Sequence, residues 1–320
     1  MAVKLKPIVV VGSVNIDLVA RAERIPLIGE TVHSSNFQMH PGGKGANQAV
    51  AVARLGYPVR MIASVGSDAF GVELRAQLVR SGVDARTVRT RTGPSGVAVI
   101  AVAPNGDNAI VVTPGANAMV SVKDIDDNAH TIREAGVVLT QLEIPFETVE
   151  HLATVCQRMK VPLILDPAPA RALPPDLLHR VSWLTPNETE LASCVPEGSH
   201  DSNPREVFGA VEALVKQGGC GLVLKRGSRG AYVATKDGMR EEVSPFPVAA
   251  VDTTGAGDAF NGAFAVALML GRSPLESTQF ATAAGAVSVT RVGAQPSMPT
   301  MDEVKLMLSR RAGAHLPSTT

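Results

Sequence analysis

An unbroken apolar, β-branched run at Ile8–Val11, stopped by Gly12, has the pattern of a parallel strand buried on both faces. Ala46–Leu55 is rich in helix formers and closes on Gly56-Tyr57-Pro58, a helix stop. Val59–Val65 predicts the next strand, and Phe70–Arg80 a helix ended by Gly82. Two extended pieces follow, Gly96–Ala103 and Asn108–Thr113, joined by Pro104-Asn105-Gly106-Asp107. Asn-Gly between apolar runs is a hairpin signal. Val137–Leu142 predicts a strand, Glu147–Met159 a helix, and Val161–Leu165 a strand running into Asp166-Pro167. After Trp183-Leu184, the residues Thr185-Pro186-Asn187-Glu188 have the composition of a helix start. Pro204–Lys216 reads as helix, Gly221–Leu224 and Ala231–Ala234 as strands. Three helices near Gly255–Leu270, Pro274–Val289 and Met301–Arg310 complete the pattern.

Alternation of this kind implies an α/β fold of three layers, a mostly parallel central sheet covered by helices on both faces. Thr31–Met39 and Gly96–Thr113 break the rhythm and are expected to form a small β lid, drawn from segments near 14–41 and 90–115. A chain of 320 residues allows one large domain or two small ones. The expectation is a single domain over 1–311 with a frayed tail at 312–320.

Composition narrows the function more than the fold. Aromatic residues are only 3% against 45% hydrophobic overall, so the core must be built of Ala, Val, Leu and Ile. Lys+Arg and Asp+Glu are both 30, and a balanced chain argues against a nucleic-acid or membrane binder, which needs a basic patch. Cys156, Cys194 and Cys220 are far apart without metal-ligand spacing, as free thiols in a reducing compartment would be. The apolar stretch near the start is too short for a secretory signal, and the longest run elsewhere, Ala263–Leu270, cannot span a bilayer. A cytoplasmic protein is expected.

The segment with most chemistry is Asp252-Thr253-Thr254-Gly255-Ala256-Gly257-Asp258. Glycines at a helix opening leave backbone N–H groups free, and with the helix dipole they suit the charge on a transferring phosphoryl group. Asp258, just inside, could take a proton from an attacking hydroxyl. A capped helix with an ordinary first-turn acid would look the same. A Walker-type ATPase is disfavoured, because Gly42-Gly43-Lys44 lacks the G-x-x-x-x-G-K-[ST] frame. So is a typical NAD enzyme, because Phe260 stands where a dinucleotide fingerprint needs its third glycine.

Four other segments are candidates. In Pro41–Ala49, Lys44 and Asn47 offer donors to hydroxyl oxygens amid glycines that let backbone approach a ligand, or the segment is a plain Gly-rich turn. Asn15 and Asp17 follow the first strand, at the edge where α/β sheets bind ligands, or make an Asx turn. Asn187 and Glu190 share a face at a helix start and suit Mg²⁺ held through water beside phosphates, or a simple cap. Lys225–Gly230 follows a strand and could hold nucleotide phosphates, or is a solvated polar turn.

In their order and separation, VVGSVNIDLV, GGKGANQAVAVARLG, QLEIP, LDPAPAR, TPNETE, KRGSRG, VDTTGAGDAFNGAF and TRVGAQPS resemble the ribokinase family of carbohydrate and nucleoside kinases over nearly the whole chain. GGKGANQAV, DPAPAR and GAQPS are more similar to its ribose-specific members than to its fructose or nucleoside kinases. The resemblance implies transfer of a phosphoryl group from ATP to the 5-hydroxyl of D-ribose. In that reading Asn15, Asp17, Gly43, Lys44, Asn47 and Glu143 hold the sugar, with Ala98 and Ile110 as apolar lid residues over it. Asp258 matches the catalytic base, and Gly255, Ala256 and Gly257 the anion hole. Asn187 and Glu190 match the motif organising Mg²⁺ and phosphates, with Glu190 the Mg²⁺ residue, and Lys225, Gly227, Gly257 and Thr282 lie where nucleotide is contacted. An activating K⁺ would sit at Asp252, Thr254, Ser288, Arg291, Gly293 and Ser297. Two positions depart from the pattern: Thr282 replaces a His or Asn common in the adenine pocket, and Lys225 a common Thr. A homodimer clasped through the β lids is also implied. The rivals are a kinase of 2-deoxyribose, fructose or adenosine, a silent sugar-binding sensor on the same fold, and an NAD-dependent oxidoreductase.

Overall fold

The computed structural model describes residues 5–194 and 204–313. Its first half holds strands β1 (Ile8–Val11), β2 (Asn15–Ala22), β3 (Ser34–Gly42), β4 (Val59–Gly66), β5 (Val88–Arg91), β6 (Gly96–Val102), β7 (Asn108–Thr113) and β8 (Val137–Thr140). The second half adds β9 (Leu163–Leu165), β10 (Trp183–Leu184), β11 (Gly221–Lys225), β12 (Ala231–Ala234) and β13 (Arg240–Val243). The helices are α1 (Lys44–Arg54), α2 (Ala69–Arg80), α3 (Val122–Asp127), α4 (Ala129–Glu134), α5 (Phe146–Met159) and α6 (Pro175–Leu178). They continue with α7 (Glu188–Cys194), α8 (Pro204–Gly218), α9 (Ala256–Met269), α10 (Pro274–Ser288), α11 (Ala294–Ser297) and α12 (Met301–Gly313).

Nine strands form the main sheet in the order β13-β12-β11-β10-β9-β8-β1-β4-β5. From β5 to β11 every pair is parallel, and β12 and β13 add antiparallel to one edge. β1 lies between β4 and β8 and shows why its run is wholly apolar. Ile8 and Val10 point into one core layer with α1, α9 and α10, while Val9 and Val11 point into the other with α5 and α8. The edge strands β5 and β13, VRTR and REEV, carry charges that blunt exposed edges. Those charges also erase the apolar pattern, which is why the sequence predicts neither strand.

Small residues let the helices approach closely. A side chain on Gly262 of α9 would begin 2.7 Å from Cβ of Ala51 on α1. That contact fixes the two helices whose first turns carry Asn47 and Asp258.

β2, β3, β6 and β7 form a separate four-stranded sheet in the order β3-β2-β6-β7. β2 begins at Asn15, so Asn15 and Asp17 lie within a strand rather than in a turn after one. The reason is visible in register. Asp17, Val19 and Arg21 alternate on one face with His40, Gln38, Ile100 and Ile110, and this face lines a cavity instead of a core. The tail expected at 312–320 lies, from residue 314 on, outside the described residues. No helix among the described residues is long and apolar enough to cross a membrane.

Candidate active site

The carboxyl ends of the parallel strands bring the candidate groups together, as expected of an open α/β sheet. β1 leads to Ser13 and Asn15, β8 to Gln141 and Glu143, β9 to Asp166, β10 to Asn187, and β11 ends in Lys225. The first turns of α1 and α9 enter from above with Lys44, Asn47 and Asp258. Both helices start from glycines with positive φ, Gly43 at 86° and Gly255 at 75°, a region closed to most side chains. A side chain on Gly43 would also begin 2.8 Å from the Asn15 nitrogen.

Asp258 is buried and receives one amide donor on each oxygen: Asn47 Nδ2 on Oδ2 at 2.9 Å and Gln48 Nε2 on Oδ1 at 3.1 Å. Gln48 Nε2 also donates to Asp166 Oδ2 at 3.0 Å, and Gln141 Nε2 donates to Gln48 Oε1 at 2.6 Å. Asp166 Oδ1 accepts from Lys225 Nζ at 2.9 Å, and that ammonium lies 3.8 Å from Glu190 Oε2.

Charge follows from this crowding. Burial pushes the Asp258 carboxyl up to about 6, Asp166 adds to the rise, and Lys44, Asn47 and Gln48 oppose it. Burial likewise takes Asp17 up to about 6, with Glu143 and Asp258 contributing. Burial works against the Lys44 ammonium, but Asp258, Asp166, Glu143 and Glu190 outweigh it and hold its pKa above the usual range. Lys44 is thus surrounded by carboxylates, two of which, Asp166 and Glu190, also lie near Lys225.

Two cavities open from this centre. One, of about 340 Å³, is lined by Asp17, Arg21, His40 and Ile110 from the small sheet and by Asp252, Thr254 and Gly293 from the main body. Ala98 is buried beside Asp17 in register and does not line that cavity. The other, of about 420 Å³, is mostly apolar and lined by Lys225, Gly227, Ala256, Gly257, Phe260 and Thr282. Ala250 and Thr253 line both. A cleft with Asp17 and Asp252 in its wall and a second, more apolar one, adjoining at Ala250 and Thr253, can seat two reactants side by side.

Asn187 and Glu190 cap α7 reciprocally: Asn187 Oδ1 accepts from the Glu190 N–H at 2.8 Å and Glu190 Oε2 from the Asn187 N–H at 2.7 Å. The capping alternative is therefore realised, and it leaves Glu190 Oε1 for other work. Asp252 joins two loops, accepting from Thr254 N and Oγ1 at 2.9 and 2.7 Å and from Gly293 N at 2.8 Å. Burial opposes its ionisation, but these donors hold its carboxyl below the usual value. Buried Ser288 and Ser297 donate their hydroxyls to the carbonyls of Gly285 and Ala294. The Arg291 side chain is turned to Glu303.

Several further partners are motif residues to which the sequence assigned no role, and one, Asn117, lies outside every motif. Ser13 Oγ donates to Glu143, whose Oε2 also accepts from the Lys44 N–H at 3.1 Å. Asn117 Nδ2 donates to Asn15 Oδ1 at 2.7 Å, orienting it from 102 residues away. Gln48, Gln141 and Asp166 complete the set. Asp166 carries a signal, since it follows a strand at the carboxyl edge of the sheet. Gln48 lies next to Asn47 in a helix that also carries Lys44 and Arg54, and nothing local marks it out.

Residues 5–301 match the family model for pfkB family carbohydrate kinases. A ribokinase of Bacillus subtilis is 41% identical over 307 residues, covering 95% of this chain and 100% of that protein. The crystal structure of a ribokinase from Thermotoga maritima superposes with a TM-score of 0.88 at 38% identity, over 96% of this chain and 100% of that one. An Arabidopsis thaliana ribokinase, solved in complex with ribose and ATP, gives a TM-score of 0.85 at 36% identity, over 95% and 99% of the two chains.

Proposed function

As the chain belongs to the pfkB family of carbohydrate kinases, we propose that it transfers the terminal phosphoryl group of ATP to the 5-hydroxyl of D-ribose, giving D-ribose 5-phosphate and ADP. The observation that carries this is the buried Asp258, held by two amide donors in the first turn of α9, whose opening residues Ala256 and Gly257 line the apolar cavity and whose preceding Thr253 lines both cavities. Ribose enters the cavity of Asp17, whose carboxylate accepts from sugar hydroxyls together with Asn15, Asn47 and Glu143. Lys44 and the backbone at Gly43 close the sugar's other side. Nucleotide lies in the apolar cavity over Gly227 and Thr282, with its phosphates toward Lys225. Asp258 accepts the hydroxyl proton as that oxygen attacks the phosphorus in line, and the N–H groups of Gly255 and Gly257, with that of Ala256 once released from the Thr253 carbonyl it meets at 3.2 Å, receive the charge on the phosphoryl oxygens. The small sheet covers the sugar through Ile110 and keeps out water that would hydrolyse ATP.

The donors present suit two cations. No cluster of three or more metal-binding side chains exists among the described residues, and the Lys225 ammonium already balances Asp166. That suits an Mg²⁺ that would arrive with ATP and be held beside Asn187 and Glu190, rather than an ion caged by protein. Mg²⁺ supplies charge neutralisation on the phosphates. Hard oxygens at Asp252, Thr254, Ser288, Arg291, Gly293 and Ser297, several of them backbone carbonyls, suit K⁺. The Arg291 guanidinium is paired with Glu303, while Arg21 is the cation whose charge reaches Asp252.

Two copies would pair through the outer face of the small sheet. Met39, Leu18, Val99 and Val111 lie side by side there, and Met39, Val99 and Val111 are exposed. Light scattering after size exclusion is expected to give twice the monomer mass, and Val99→Glu a monomer. A monomeric wild type at working concentration would remove this part of the reading. Buried, unpaired thiols fit a cytoplasmic setting.

ADP release with Mg-ATP across ribose, 2-deoxyribose, fructose and adenosine, each with and without K⁺, tests the reaction. Preference for ribose raised by K⁺ is the expected result. Preference for another acceptor moves the substrate, and no ADP with any of them, in protein that binds ribose, leaves a sensor.

A further inference from the structure

Gln48 is fully buried on α1, and its one side-chain nitrogen serves two carboxylates, Asp258 Oδ1 at 3.1 Å and Asp166 Oδ2 at 3.0 Å. Its orientation is not free. Gln141 Nε2 donates to Gln48 Oε1 at 2.6 Å, so the NH₂ group must face the two acids. Gln141 is fully buried as well, and its Oε1 occupies the place where a side chain on Gly12 would begin, 2.1 Å from the would-be Cβ. Beyond Asp166 the same line continues to the Lys225 ammonium in the nucleotide cavity. A continuous hydrogen-bonded path thus runs from that cavity, through Asp166 and Gln48, to Asp258.

We propose that Gln48 is a positioning residue for phosphoryl transfer, which ties the Asp258 carboxylate to Asp166 and fixes both its rotamer and its readiness to take a proton. The inference rests on Asp258 being the base. With Asn47 on one oxygen and Gln48 on the other, each oxygen keeps a lone pair for the incoming hydroxyl, and neither donor cancels the negative charge as a lysine contact would. The groups facing Asp258 are Lys44 from α1, Asp17 from β2 and Asp166 after β9; Glu143, Glu190 and Lys225 stand around them. Two carboxylates drawn to one amide repel each other as soon as that amide is gone. Donation to the ionised form favours it, so losing Gln48 raises the Asp258 pKa further.

Gln48→Met keeps length and helix propensity and removes the donor. The acid limb of the turnover–pH profile is expected to move up by roughly one unit or more, the size of a hydrogen bond to a charged group. Binding of Mg-ADP is expected to stay near normal. Should Gln141, left without its acceptor, unfold the single variant, Gln48→Met with Gln141→Met removes both partners and carries the same prediction. Gln141→Met alone frees the Gln48 amide to turn and moves the limb the same way by less. A rate lowered equally at all pH with the limb in place means Gln48 is only structural, and an unchanged profile overturns the inference as well. A ¹³C titration of the Asp258 carboxyl in wild type and variant reads the same shift without turnover. It decides the matter even if the wild type phosphorylates no sugar, an outcome that would sink the kinase reading separately.

Discussion

Asp258→Asn is expected to lower turnover by roughly 10²–10⁴-fold, the usual range for loss of a general base, in a protein that folds and still binds ribose and Mg-ADP. The fold should survive for a local reason. The substituted side chain would present an NH₂ group to one of the two amides that now donate to the carboxylate. Asn47 can answer by turning over, since its Oδ1 is buried without a partner and would become the acceptor. Gln48 cannot, being held by Gln141.

The pH dependence sharpens this prediction. With Asp258 near 6, the rate should fall as pH drops through 6, because the protonated acid cannot accept the hydroxyl proton. Asp17 is also pushed up to about 6, so the limb is best read in turnover at saturating ribose, where the proposed contact of Asp17 with the sugar would already be made. In the Asp258→Asn variant the residual rate should lose that limb. Stability moves the other way. The raised Asp258 pKa means the folded protein holds this proton more tightly than the unfolded chain. The stability it contributes is therefore full below about pH 4 and lost as pH rises through 6. At neutral pH the ionised acid is a burden, so the amide should melt no lower than the wild type. A variant with near-normal turnover would end the assignment of Asp258 as base. One that lost both activity and ligand binding would point to a disturbed site instead.

How far the sequence carried depended on where each residue's partner lay. β1 was legible because burial on both faces demands the apolar run Ile8–Val11, and α9 and α10 because their apolar stretches are long. β2 was not, because the face carrying Asp17 and Arg21 lines a cavity and so alternates against no core. Asp258 stood out through its glycines, which local geometry requires. Asn117, Gln141 and Gln48 act only through partners 102, 93 and 118 residues distant, and no local pattern encodes such a pairing. Lys225 was visible as a departure in type. Its pairing with Asp166 emerges only when β9 and β11 lie two strands apart.

Gly257→Ala should make the protein more stable and yet a much poorer catalyst. Gly257 sits in the first turn of α9 with an ordinary helical backbone, so alanine is tolerated there and favoured by about 0.5–1 kcal/mol through helix propensity. Space permits it too: beyond its own helix backbone, the only heavy atom of the described residues within 4 Å of the new Cβ is Lys225 Nζ, at 3.5 Å, an ordinary contact. That gap between the helix opening and the ammonium is where a phosphoryl oxygen would be received. A methyl group there pushes the anion away from the N–H donors, and loss of such a contact costs roughly 10²–10³-fold in turnover. Gly255→Ala provides the contrast. Its φ of 75° is the left-handed region, and its Cβ would begin 2.9 Å from that of Ala294, so it should lose stability along with activity. Melting temperature and turnover measured together on both variants separate the cases. If Gly257→Ala turns over like the wild type, the anion does not lie at this helix opening. If it melts lower, its lost activity says nothing about an anion hole.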